Sequence, residues 1–274
     1  MSSGSLNSTE PERFYCRELR GGNQRANYSA ELPGLECWVS CRPLRPSSKG
    51  GDVYYLSLCS QGAIARITLA DVAGHGDVVS AAAIRLRDAL REHSDDWDQT
   101  LLIRKLSDNF LNTKQSAGQY ATAFVIGYSG SSGELVFTNA GHPLPVWYQA
   151  ATQQWLLIED QTPWSKEIAN LPLGLIEGTP YTQTGLELAE GDLVILYTDG
   201  ISEAEGVSGT QLGMNGLMEL VRALPVSSPV ETGAALIASI EEYRGNAPAQ
   251  DDETVIVLRR SEMRPAPVLG KAND

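Results

Sequence analysis

Residues 63–76 read AIARITLADVAGHG and run directly into DVVSAAAIRLRDALREH at 77–93, and this junction decides the fold. The apolar run from Ala63 to Ala70 has the length and β-branched content of a buried strand. Asp71 closes it, and Ala73, Gly74 and Gly76 supply the small, permissive residues of a turn. Val79, Ala83, Leu86 and Leu90 then recur at steps of three and four, the spacing of one helix face. A second helix follows over 98–113, where Leu102, Leu106, Phe110 and Thr113 repeat the pattern with no strand between.

Working outward, strands are expected near 36–42, 53–59, 63–71, 121–128, 134–138, 144–149, 155–158, 192–198 and 254–259. A second helical pair is expected over 212–223 and 229–244. Strands, two helices, strands, two helices and one strand do not alternate as βαβ units do. Consecutive strands joined by short Gly-containing turns, as at Ser-Gln-Gly 60–62 and Ser-Gly-Ser-Ser-Gly 129–133, imply antiparallel pairing. Helices arriving in pairs imply outer layers. The expected class is α+β: a four-layer αββα sandwich, two mainly antiparallel sheets flanked by helix pairs. Its domain spans 35–260. Residues 1–34 read as an N-terminal arm, partly disordered or holding one short helix, and 261–274 as a flexible C-terminal tail.

The 274-residue chain carries 21 basic and 34 acidic residues, a formal net charge of −13, which argues against nucleic acid or an anionic membrane as partner. Neither a long apolar span nor the apolar core of a signal peptide appears, so a cytoplasmic protein is expected. Cys16, Cys37, Cys41 and Cys59 lack CxxC spacing and read as reduced, packed thiols.

Four carboxylates stand at strand ends beside turns: Asp52 after Gly50-Gly51, Asp71, Asp199 before Gly200, and Asp251 before the last strand. Any one of them could be a turn residue or helix cap. Together they form the oxygen-rich set that Mg²⁺ or Mn²⁺ prefers, and two ions sharing a carboxylate would activate a water for attack on phosphorus. No GxSxG segment or paired Cys and His points to a covalent nucleophile.

Six ordered segments over about 35–260 resemble the metal-dependent protein phosphatase (PPM) family, in its bacterial SpoIIE-like or RsbU-like serine phosphatase branch. Gly50-Gly51-Asp52-Val53-Tyr54 resembles GGDFYD, Asp71 to Gly76 resembles DVSGKG, and Asn139-Ala-Gly-His-Pro143 matches NAGHP. Leu171 to Leu175, Tyr197-Thr-Asp-Gly200 with Glu203-Ala204, and Gln250-Asp-Asp252 with Thr254 match LPLGL, YTDGxxEA and QDDxT. The resemblance implies hydrolysis of phosphoserine or phosphothreonine on a protein by a metal-bound hydroxide. Asp52, Asp71, Asp199, Asp251 and the Val72 carbonyl would hold two Mn²⁺ or Mg²⁺ ions, or three, while Asp252, Asn139 and His142 stand behind them. It implies a STAS-type anti-sigma-factor antagonist as phosphorylated partner, in signal transduction. With little chain left for a sensor, regulation is expected through a partner, homodimerisation or expression.

Three positions depart from the branch: Tyr55 replaces the second Asp of GGDFYD, His75 the Lys of DVSGKG, and Glu253 an apolar residue. His75 is a candidate acid for the leaving alkoxide or a solvated turn residue. The segment 159–170 around Trp164 reads as a substrate-selecting flap or a solvated loop. Two other readings use the same carboxylates: a catalytically weak phosphatase-like module that binds a phosphoprotein, and a two-metal nuclease, which the net charge and lack of basic clusters disfavour.

Overall fold

The computed structural model describes residues 17–59, 64–74, 77–93, 98–113, 118–159, 170–245 and 247–262. The chain begins with β1 (Arg17–Gln24), β2 (Ala26–Leu32), β3 (Leu35–Arg42), β4 (Lys49–Cys59) and β5 (Ile64–Val72), followed by helices α1 (Asp77–Glu92) and α2 (Gln99–Thr113). Next come β6 (Ala121–Ser129), β7 (Glu134–Ala140), β8 (Val146–Gln149), β9 (Gln154–Leu157), β10 (Thr184–Glu187) and β11 (Leu193–Tyr197). The last elements are α3 (Asp199–Ser202), α4 (Gly213–Val221), α5 (Pro229–Arg244) and β12 (Glu253–Arg260).

One six-stranded sheet has the order β1-β4-β5-β6-β7-β10 and the other β2-β3-β12-β11-β8-β9. Neighbouring strands pair antiparallel throughout both. The expected α+β sandwich is therefore the observed fold. Leu56, Ile67, Phe124, Val39, Leu196 and Ile256 pack between the sheets. Val53, Tyr55, Leu86, Leu90, Leu102 and Phe110 join α1 and α2 to the first sheet, while Trp38, Ile195, Leu217, Leu236 and Ile240 join α4 and α5 to the second. Each such large side chain contributes roughly 1.5–3 kcal/mol through its burial.

Helix α5 shows how sequence sets these contacts. Ser228 caps it by accepting the Glu231 N–H at 3.2 Å, Pro229 opens its first turn, and Gly245 at φ 63° ends it. A side chain at Gly233 would overlap the Trp38 ring, so that glycine lets the helix seat on the second sheet.

The structure corrects the expected arm over residues 17–32. This stretch is neither loose nor helical: β1 adds to the edge of the first sheet on β4, and β2 to the edge of the second on β3. Polar residues there alternate along solvated edge strands, as the burial of β2 shows. Residues 1–16 and 263–274 lie outside the described residues. Cys37 and Cys41 are buried and unbridged, and burial pushes both thiols up to about 12.

Candidate metal centre

The alternation of β4 sends Val53 and Tyr55 toward the helices and Tyr54 and Leu56 between the sheets, so Asp52 shares the inter-sheet face. On β5 the same parity sends Ala70 and Val72 to the helices and Leu69 with Asp71 inward. Register then sets Asp52 directly opposite Asp71, and Asp71 opposite Thr122 of β6. Two carboxylates thus face each other at one end of the sandwich.

Asp199 and Asp251 reach that end from the second sheet. Asp199 opens α3 immediately after β11, and Asp251 and Asp252 precede β12, whose Val255 pairs with Tyr197. The electrostatics record the convergence. Burial, then the Asp199, Asp251 and Asp252 carboxylates, push Asp71 up to about 8. Burial and then Asp71 hold Asp52 well above the carboxylate range, with the Thr198 hydroxyl offsetting part of the rise. Asp199 is also raised, first by burial.

Hydrogen bonds fasten this end across the sheets. Thr198 Oγ1 donates to Asp52 Oδ2 at 2.8 Å and accepts the Thr254 N–H at 3.0 Å. Asp252, only 2% exposed, accepts Leu44 N–H at its Oδ1 and Gly51 N–H at its Oδ2, both at 2.6 Å. Its carboxylate ties the start of β4 to the start of β12. A side chain at Gly50 would overlap the Asp252 carboxylate, and one at Gly200 the Asp252 carbonyl. A Cβ on Gly51 would come within 2.8 Å of the Val72 carbonyl oxygen. Close backbone approach therefore accounts for the glycines beside Asp52 and Asp199.

The Asn139–Pro143 segment supports the site from behind. Asn139 Oδ1 accepts the His142 N–H at 2.7 Å, and its Nδ2 donates to the His142 carbonyl at 2.9 Å. The Asn139 amide is thus taken up by the turn itself. His142 Nδ1 lies 2.8 Å from Thr122 Oγ1, one strand from Asp71. Burial pushes the imidazole down to about 3, with the Tyr197 backbone partly opposing. Its Nε2 is buried without a hydrogen bond of normal geometry.

Tyr55 is fully buried and packs with α1 and α2, on the β4 face opposite Asp52. Glu253 forms a buried ion pair with Arg244 at the end of α5. His75 and residues 160–169 lie outside the described residues. Beside the carboxylates is a cavity of about 150 Å³, with Asp199, Glu203, Glu205, Arg244, Gln250 and Asp251 in its wall. Gln250 Nε2 donates to Glu205 Oε2 at 2.6 Å.

The donor set fits hard divalent cations in its chemistry: oxygen donors, several of them carboxylates, raised by burial and then by one another's charge. No Lys or Arg among the described residues forms an ion pair with Asp52, Asp71 or Asp199. Among the described residues no three Asp, Glu, His or Cys side chains are gathered as a closed metal-ligand cluster. Thr198 was missed as a contributor in the sequence; its adjacency to Asp199 was the available signal.

Two six-stranded antiparallel sheets, flanked by helices, with acidic residues at one end, form an α+β sandwich, the fold of the PP2C phosphatase domain of SpoIIE from Bacillus subtilis, which the chain matches with TM-score 0.70 at 17% identity over 84% of this chain and 64% of that one. The model of the family described as Stage II sporulation protein E (SpoIIE) matches residues 62–261, and the chain belongs to that family. The chain is 24% identical over 194 residues to the phosphoserine phosphatase RsbU of Bacillus subtilis, covering 71% of this chain and 55% of the relative. It spans about half the length of the curated relatives it matches. Among solved structures, the RsbU and RsbW domains of Rv1364c from Mycobacterium tuberculosis superpose with TM-score 0.71 at 22% identity, over 88% of this chain and 64% of that one. RsbX in complex with magnesium gives TM-score 0.62 at 14% identity, over 86% of this chain and all of the other, 100%.

Proposed function

We propose that this protein is a divalent-cation-dependent protein phosphatase that hydrolyses phosphoserine or phosphothreonine on a partner protein. The observation that carries this reading is the cross-strand opposition of Asp52 and Asp71, with Asp199, Asp251 and Asp252 bearing on Asp71 from the other sheet. Five like charges brought to one end of a fold are costly without compensating cations. Asp52, Asp71, Asp199, Asp251 and the Val72 carbonyl would hold Mg²⁺ or Mn²⁺. When bound, these ions would supply Lewis-acid activation of a water and neutralise charge developing on the phosphoryl group.

The chain's own residues then do the positioning. Thr198 orients the Asp52 carboxylate, and Asp252 fixes the backbone on which Asp52 and Asp251 sit. His142, neutral and buried, serves as a support rather than a proton donor. Likeness to RsbU supports phosphoserine as the substrate group, and the family resemblance supports a STAS-type antagonist as the partner. No helix among the described residues is long and apolar enough to cross a membrane. Tyr55 faces the helix layer, so its departure from the branch motif lends no support to a binding-only module.

The test is para-nitrophenyl phosphate turnover. It should require added Mn²⁺ or Mg²⁺, stop with EDTA, and fall at least about a hundredfold in Asp199→Asn. Metal-independent turnover, or full activity in that variant, would reject the reading.

A further inference from the structure

In a chain of formal net charge −13, four cations line one cavity: Arg20, Arg25, Lys49 and Arg87, with no Asp or Glu among the described residues of its lining. The cavity holds about 590 Å³ where β1 passes into β2, against Ile84 and Arg87 of α1. Tyr28 and Tyr54 form part of its wall, their rings 6.0 Å apart, and the Arg20 guanidinium sits 4.5 Å above the Tyr28 ring. That stacking holds one donor fork in place. Arg87 is tethered to the exposed Asp88 at 2.6 Å, whereas Arg20, Arg25 and Lys49 form no ion pair among the described residues. At physiological salt, charges are screened over about 8 Å, so the lining cations, with Asp88 offsetting Arg87, dominate the local potential.

Its place in the fold gives the cavity a direction. Lys49 pairs with Gln24, and Asn23 donates to the Gly50 carbonyl at 2.9 Å, so the cavity wall continues into the glycines before Asp52. Along a strand, the three steps from Lys49 to Asp52 span about 10 Å. An extended peptide with its phosphoserine at the carboxylate end would set a residue about three to five positions away over the cavity.

We propose that this cavity is a subsite for an acidic segment of the phosphoprotein substrate, flanking the phosphoserine. The inference rests on the phosphatase reading for its orientation. A cluster of cations confined to a pocket, three of them outside any ion pair among the described residues, selects carboxylates, and the surrounding negative charge discourages a long polyanion such as nucleic acid.

The experiment uses the full chain with Mn²⁺ and synthetic phosphoserine peptides that differ only in flanking charge, Glu against Ser, about three to five residues from the phosphoserine. The wild type should show kcat/KM about tenfold higher for the acidic peptide, a gap that closes at high salt. In the double variant Arg25→Gln/Arg87→Gln, the ratio of acidic-peptide to para-nitrophenyl phosphate turnover should fall about fivefold to tenfold, with Arg→Lys at both positions retaining most of it. Equal rates on both peptides in the wild type, or an unchanged ratio in the double variant, would overturn the proposal. Should the wild type turn over neither peptide nor para-nitrophenyl phosphate, the phosphatase reading fails first. Fluorescence anisotropy with an unphosphorylated, labelled acidic peptide then decides the cavity alone: binding weakened in the double variant upholds it, and no binding overturns it.

Discussion

Thr198 Oγ1 donates a 2.8 Å hydrogen bond to Asp52 Oδ2 and accepts the Thr254 N–H at 3.0 Å, so one hydroxyl joins a carboxylate of the first sheet to the backbone of the second. Thr198→Val keeps the shape and removes both bonds. Groups that orient a metal ligand typically change affinity or rate about ten- to a hundredfold, so the Mn²⁺ activation constant should rise at least about tenfold. Thr198→Ser should recover most of the loss. A metal titration of activity across the two variants checks this, and equal constants in all three proteins would remove the orienting role.

Tyr55 separates packing from chemistry. Because it lies among the side chains of α1 and α2, restoring the branch residue with Tyr55→Asp would place a carboxylate in an apolar layer. The expected cost is about 3–5 kcal/mol, or roughly 10 °C in Tm, with no gain in turnover. Thermal denaturation and a para-nitrophenyl phosphate assay on the same preparation would show both. Raised activity would mean that position 55 reaches the site.

The metal-free protein should lose stability as pH rises through neutrality. Asp52 and Asp71 have folded values above their unfolded ones, so the folded state binds more protons and stability falls with pH from about 4 upward, for Asp71 until about 8. His142 acts oppositely: its depressed folded value makes stability fall as pH drops from about 6.5 toward 3. Between about pH 6.5 and 8 the carboxylates act alone. In EDTA, Tm should therefore decline across that interval, less steeply in Asp71→Asn, and saturating Mg²⁺ should flatten the decline. A Tm that rises with pH in EDTA would contradict the assigned directions.

The Arg244–Glu253 pair is buried, with 10% and 6% of the side chains exposed. Glu253→Gln removes the carboxylate that meets the guanidinium directly, leaving the more distant charge of Glu241, and should cost about 1–3 kcal/mol, whereas Arg244→Met with Glu253→Met should be close to neutral. Denaturant unfolding of the single and double variants gives the comparison. A single variant as stable as the wild type would mean that the pair is solvated.

The Asp71 junction is legible in the sequence alone. Asp71 follows an apolar run and precedes small residues, a local pattern that needs no tertiary information. That Asp52 should face Asp71 could not be read, because register depends on pairing between separate strands. The strands β1 and β2 escaped for a physical reason: edge strands carry polar and charged residues that resemble an arm. Glu253 stood out only as a departure, since its partner Arg244 comes from the helix before it. The cationic cavity was invisible because Arg20, Arg25, Lys49 and Arg87 belong to different elements and meet only through folding.

Under the proposed function, carboxylates from both sheets hold the divalent cations on which phosphate release depends. Isothermal titration of Mn²⁺ into the wild type and Asp71→Asn, with para-nitrophenyl phosphate turnover measured on the same samples, tests it most directly. The wild type should bind about two ions, and the variant should lose one or more of them and turn over about a hundredfold or more slowly. Equal Mn²⁺ binding and equal turnover in the two proteins would contradict it.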